Sequence, residues 1–236
     1  MKAVIQAGGK GTRLAPYTLI LPKPMMPVGD QPVIEILIKW LRRNSIEEAC
    51  ITTGHLAHLI KAFCQDGEQW GMKIHYCQEP EPLGTVGSLQ LIKEHLTEPF
   101  LMLNGDLITD LDLMAFKKCH EESGASLSIA TTIKSVNIDL GVLETDNSRV
   151  TAFREKPTLP MEVSMGLYIM NPEILEYIPK GVPFGFDNLM HALLSKDIAV
   201  NTFRHDGRWM DIGRVDDFAK AQDEWTEHHE KPMLGV

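Results

Sequence analysis

The chain has 236 residues, 44% of them hydrophobic, with a formal net charge of −9. That length supports one large domain with its own core, and the acidic balance, with no basic stripe, argues against nucleic acid as a partner. No apolar run reaches the roughly 18 residues of a membrane span, and only three apolar residues follow Lys2, so neither a span nor a signal peptide is expected.

Residues 3–6 predict a first buried strand, which runs into Ala7-Gly8-Gly9-Lys10-Gly11-Thr12-Arg13-Leu14. A glycine-rich turn leaving a strand lets backbone N–H groups approach a phosphate with no Cβ in the way. The spacing fits neither the P-loop, whose glycines are followed by Lys-Ser/Thr, nor the dinucleotide fingerprint, whose third glycine would fall on Leu14. Taken alone the pattern is also that of a tight turn. Arg13, and Lys23 in Leu21-Pro22-Lys23-Pro24, add the positive charge that a triphosphate needs.

Ile34, Leu37, Ile38 and Leu41 then recur at helical spacing, as do Leu56, Leu59, Ile60 and Phe63, with strands predicted at residues 49–53 and 73–77. The loop from Gln78 to Ser88 carries glycines just before a third helix, predicted through Leu89, Ile92, Lys93 and Leu96; a base could be read there by Gln78 and by the backbone around Gly84. Residues 100–104 form a further strand. This alternation predicts parallel βαβ units in an open α/β sheet flanked by helices, with ligands at the carboxyl ends of the strands. In the second half, strands are predicted at 126–132, 142–144, 150–153 and 164–170, and helices near 172–177, 188–194 and 215–228. No linker, repeat or low-complexity tract divides the chain, so a single domain is expected.

Strand 100–104 leads into Gly105-Asp106, which places a carboxylate where it could hold Mg²⁺. Trp209-Met210-Asp211-Ile212-Gly213 supplies a second acid in an apolar setting, either a metal ligand or a helix cap. Asp110 and Asp112 read as helix N-cap and turn residues. Glu155 and Lys156, in Phe153-Arg154-Glu155-Lys156-Pro157, could bind hydroxyls and a second anion, or form a solvated turn. His55, His58, His228 and His229 have no ligand set and read as surface or capping residues. Cys50, Cys64, Cys77 and Cys119 lie far apart without a C-x-x-C pair, which disfavours a zinc site or disulfide framework and suits a cytoplasmic protein.

Together these segments resemble the sugar-1-phosphate nucleotidyltransferase family, and most of all its mannose- or heptose-1-phosphate guanylyltransferases. Six motifs stand in the family's order, including Glu81-Pro82-Leu83-Gly84-Thr85-Val86-Gly87-Ser88 and Asn104-Gly105-Asp106. The resemblance implies a Rossmann-like, mostly parallel mixed sheet of the GT-A-like nucleotidyltransferase fold. Its nucleotide-binding part would span about residues 1–110 and its sugar-phosphate-binding part about 111–236. The implied reaction condenses a nucleoside triphosphate, GTP by preference, with a sugar 1-phosphate. Ala7, Gly8, Gly9, Gly11, Thr12 and Arg13 would hold the nucleotide together with Gln78, Gly84, Thr85 and Asn104. Arg13, Lys23 and Asp106 would be catalytic, Asp106 and Asp211 would hold Mg²⁺, and Gly141, Glu155, Lys156 and Ser164 would line the sugar-phosphate side.

The resemblance further implies a cytoplasmic enzyme for surface glycan biosynthesis, with room for a homodimer and no membrane partner. Three departures mark this chain: Gln6 stands where the family usually has Leu, Val86 replaces a small residue, and Ser164 stands where many members carry Asn. Uridylyl- and thymidylyltransferases share the framework and remain alternatives. So do a glycosyltransferase using Asp110-Leu111-Asp112 as a metal motif and a non-catalytic nucleotide-binding member.

Overall fold

The computed structural model describes residues 1–227. In chain order, β1 (Ala3–Ala7), the short ladder β2 (Pro27–Val28) with β3 (Gln31–Pro32), α1 (Val33–Arg43), β4 (Glu48–Thr53), α2 (Ala57–Cys64) and β5 (Lys73–Gln78) form the first part. There follow α3 (Gly84–Gly87), β6 (Phe100–Asn104), β7 (Leu107–Thr109), α4 (Leu113–Ser123), β8 (Leu127–Asn137), β9 (Val142–Asp146), β10 (Arg149–Arg154) and β11 (Thr158–Met170). The last elements are α5 (Phe186–Leu194), β12 (Val200–Arg204), β13 (Trp209–Asp211) and α6 (Val215–Glu227).

Seven strands make one sheet in the order β12-β8-β11-β6-β1-β4-β5. β1 is parallel to both β4 and β6, β4 to β5 and β12 to β8, while β11 runs antiparallel to β6 and β8. The sheet is therefore mixed and mostly parallel, as the alternation of elements predicts. β1, an interior strand between β6 and β4, is covered on both sides, which is why Ala3, Val4 and Ile5 read as an apolar run. Ile5 packs with Ile34, Leu37 and Ile60 on one face, and Val4 packs with Val86, Leu89 and Leu189 on the other.

The third helix predicted through Leu89–Leu96 is not continuous. A single α turn, α3, gives way to 3₁₀ turns over Ser88–Leu91 and Lys93–His95. The Phe184 carbonyl accepts from the N–H groups of both Val86 and Gly87 and docks the turn onto a distant loop. Leu89, Ile92 and Leu96 are nonetheless buried, so the apolar spacing marked the core correctly and the helix wrongly. The segment near 172–177 is likewise a 3₁₀ helix. α4, β12 and the small ladders β2–β3 and β7–β13 are additions to the sequence reading. β8 and β11 run on beyond the sheet as a two-stranded arm, with β9 and β10 forming a hairpin beside it.

The predicted last helix ends, as described, at Glu227; His228 and His229 lie outside the described residues. Cys50, Cys64, Cys77 and Cys119 are free, and burial pushes the thiols of Cys50 and Cys64 up to about 12. Among the described residues, no helix is long and apolar enough to cross a membrane.

Candidate active site

The glycine loop leaves β1 at the carboxyl end of the sheet and is locked by its neighbours. Gly11 takes φ +62°, and a Cβ there would stand 2.9 Å from the Thr18 methyl. The Gly11 carbonyl accepts from Thr18 Oγ1 at 2.8 Å and from the Leu14 N–H at 2.9 Å. Across from it, Gly84 takes φ +75° and would bring a Cβ to 2.7 Å from the Phe184 carbonyl. Between the two loops lies an open cleft of about 430 Å³, lined by Ala7, Gly8, Gly9, Gly11, Thr12, Arg13, Lys23, Gly84, Thr85, Asn104 and Asp106. A glycine-walled cleft whose lining includes the cations Arg13 and Lys23 suits a polyanion.

Lys23 is the centre of that charge. Its ammonium pairs with Asp106 Oδ2 and lies 3.9 Å from Asp211 Oδ1. The two acids are brought together by backbone pairing: β13 lies antiparallel to β7 with Asp211 opposite Leu107, and the Ile212 N–H donates to the Asp106 carbonyl at 3.1 Å. Burial, followed by the charge of Asp106, raises the Asp211 carboxyl above its ordinary range, with Lys23 and Arg13 pulling the other way.

Asp106 Oδ1 is buried with no hydrogen-bond partner. An orphaned carboxylate oxygen beside a second acid is the donor set of a hard divalent cation, and Mg²⁺ is commonly held by one or two carboxylates plus ligand phosphates. Among the described residues no group of three or more His, Cys, Asp or Glu could hold a metal without such help. The residues fit Mg²⁺ that arrives with, and is completed by, a phosphate ligand.

Other sequence-selected residues fall elsewhere. Gln78 does not line the cleft; its Oε1 accepts from Lys61 Nζ at 3.0 Å on the surface. Glu79 lines the cleft instead, with the Leu83 N–H donating to it at 3.0 Å and burial raising its carboxyl. Gly141, Glu155 and Lys156 also lie outside the cleft. A Cβ on Gly141 would stand 3.4 Å from Glu155 Oε2, so those two at least are neighbours.

Ser164 donates to the Tyr168 hydroxyl at 3.1 Å and accepts from the Gly166 N–H at 3.2 Å. It reaches the cleft only through Gly166, which abuts the Asn104 amide. Asp110 and Asp112 are committed to structure. Asp110 Oδ1 accepts from the Arg208 N–H at 2.8 Å and faces His205 Nε2 at 2.9 Å, while Asp112 caps α4 through the Ala115 N–H. The Asp-Leu-Asp spacing is thus not a metal motif here. His55 bonds the Thr18 carbonyl, in keeping with a structural part.

Gln6, Pro24, Pro82 and Gly213 complete the cleft wall. Pro82 and Gly213 belong to motifs already visible in the sequence. Glu79 carried no signal beyond its place beside Gln78, because a strand's last residues face opposite sides and spacing alone does not say which faces the ligand.

The mixed, mostly parallel sheet flanked by helices, with a glycine-walled cleft and paired carboxylates at its carboxyl edge, defines an α/β protein of the doubly wound kind. The family model described as nucleotidyl transferase matches residues 2–228, and the chain belongs to that family. A UTP–glucose-1-phosphate uridylyltransferase of Synechocystis sp. is 36% identical over 94% of this chain and 62% of its own length. A mannose-1-phosphate guanyltransferase of Aspergillus oryzae is 33% identical, over 92% of this chain and 62% of its own. The chain therefore spans about three fifths of the length of the curated relatives it matches. The structure of HddC from Yersinia pseudotuberculosis superposes with a TM-score of 0.76 at 25% identity, covering 95% of this chain and 99% of that one.

Proposed function

We propose that the protein joins a nucleoside triphosphate to a sugar 1-phosphate, giving a nucleotide-sugar and pyrophosphate. The observation that carries this reading is the meeting of Lys23, Asp106 and Asp211 at one end of a cleft walled by the two glycine loops. A sugar-phosphate oxygen attacks the α-phosphorus; the new P–O bond forms as the bond to the β-phosphate oxygen breaks in line. No protein nucleophile is needed, and the work is to align two anions and neutralise their repulsion.

The backbone of residues 8–11 holds the triphosphate, and Arg13 takes up charge on the departing pyrophosphate. The Lys23 ammonium, parked on Asp106 in the free protein, turns to the phosphates at the reacting centre. Asp106 and Asp211 would hold Mg²⁺, which supplies charge neutralisation and polarises the phosphoryl oxygens when bound. The nucleotide lies against residues 1–110 and the sugar phosphate against the later part of the chain, where Gly141, Glu155, Lys156 and Ser164 are the candidate contacts.

GTP with a mannose-like or heptose 1-phosphate is the preferred pair, supported by the motif endings and by relatives named mannose-1-phosphate guanyltransferases. UTP with glucose 1-phosphate is the second reading, favoured by the relative at 36% identity. The product would feed surface glycan synthesis, made in the cytoplasm by a monomer or homodimer. Pyrophosphate release with Mg²⁺ over a grid of nucleotides and sugar 1-phosphates tests the reading. Release that needs both substrates is expected; a folded protein that releases none with any pair would contradict it.

A further inference from the structure

Gln6 stands on the face of β1 that also carries Val4, whose side chain is buried with Val86 and Leu89. An apolar side chain would suit that position, yet a primary amide is there. Its Oε1 accepts from Thr52 Oγ1 at 2.8 Å and from Ser88 Oγ at 3.0 Å, so the head is held on two sides. Its Nε2 is buried and has no partner. Leaving a buried amide N–H unpaired is costly, and the mechanism above does not use it.

Gln6 also lines the cleft, together with Gly84 and Thr85. Ser88, which holds it, directly follows α3, so the amide lies toward the Gly84 loop. The phosphate end is marked by Arg13, Lys23 and the two carboxylates. A neutral donor held by Ser88 at the foot of the Gly84 loop is placed for an uncharged part of the ligand.

We propose that Gln6 reads the nucleobase: Nε2 donates to a ring carbonyl, as guanine and uracil offer, and disfavours adenine, which presents an amine instead. This rests on the triphosphate reading of the cleft. A donor facing a carbonyl gains a hydrogen bond, whereas a donor facing an amine leaves two unpaired groups, and that asymmetry is the source of selectivity.

The test is calorimetric titration of GTP, UTP and ATP, each with Mg²⁺ and without sugar phosphate, into wild type, Gln6→Met and Gln6→Glu. Thermal melts of the three proteins check folding. Wild type should prefer GTP or UTP to ATP. Gln6→Met, close in size but without a donor, should weaken the preferred nucleotide about tenfold and leave ATP nearly unchanged. Gln6→Glu keeps an acceptor for Thr52 and Ser88 but replaces the donor with a second acceptor, and should shift the ratio further toward ATP. Equal weakening of all three nucleotides would make Gln6 a packing residue and overturn the proposal, as would a wild-type preference for ATP. Failure of every nucleotide to bind wild type would overturn the nucleotidyltransferase reading and this proposal with it.

Discussion

Lys23 touches one carboxylate and lies within reach of another, so its removal has two separable consequences. Lys23→Ala takes a cation from the reacting centre and should lower turnover about 100- to 1,000-fold, by analogy with the loss of one well-placed electrostatic donor. It also leaves Asp106 and Asp211 facing each other with Arg13 as the remaining cation of the group. Mg²⁺ alone should then raise the melting temperature of Lys23→Ala more than that of wild type, because the ion relieves a repulsion that Lys23 otherwise masks. Asp106→Asn should lose turnover by a similar factor while losing the Mg²⁺ response. Kinetics and melts with and without the ion distinguish the two variants, and a Lys23→Ala protein with near wild-type rate would remove Lys23 from the mechanism.

At the scale of elements, what the sequence revealed follows from what periodicity encodes. β1, β4, β5, β6, α1 and α2 were legible because each buries a regular stripe, and the Gly8–Gly11 and Asn104–Asp106 segments were legible because they end such strands. α4 escaped because its buried residues are few: Leu113, Phe116 and His120 face inward while most of the helix is polar. Its start is nevertheless set by Asp112, whose Oδ1 accepts from the Ala115 N–H at 3.0 Å. Asp112→Ala should cost about 1 kcal/mol in urea unfolding and leave turnover unchanged.

The α3 turn is the opposite case, where an apolar stripe suggested a helix and distant backbone decided otherwise. Gly84 is the pivot, since its left-handed φ and the 2.7 Å at which a Cβ would stand from the Phe184 carbonyl both exclude a side chain. Gly84→Ala should push the Phe184 loop away from the cleft, raising the nucleotide KM more than it lowers kcat. A protein with unchanged KM would show that this loop does not meet the nucleotide. Pairings between distant segments, such as Asp106 with Asp211 through β7 and β13, leave no periodic trace. The two acids were paired in advance by chemistry, as isolated carboxylates in apolar settings that a shared metal would satisfy, and by the motif order the resemblance carries.

The whole molecule divides into a sheet covered on both faces and an exposed arm, and the same residue type has different weight in each. Phe116 is fully buried between α4 and the sheet, with its ring 5.3 Å from that of Phe203. Phe153, on β10, is 59% exposed, and Leu140, Leu143 and Val150 nearby are exposed as well. Strands β8 and β11 pair fully along the arm, so its backbone hydrogen bonds are made even where its side chains find no core. Stability therefore resides in the sheet and its two covered faces, and the arm contributes little beyond its ladder. Phe116→Ala should cost about 3–5 kcal/mol, combining lost burial with the cavity left behind. Phe153→Ala should fall within about 0.5 kcal/mol of wild type, as a surface substitution does. Urea midpoints of the two variants measure the contrast directly. A Phe153→Ala loss close to that of Phe116→Ala would mean that the arm's apolar residues are covered in solution by a surface outside these 227 described residues. The size of that loss would report how much of the arm is covered.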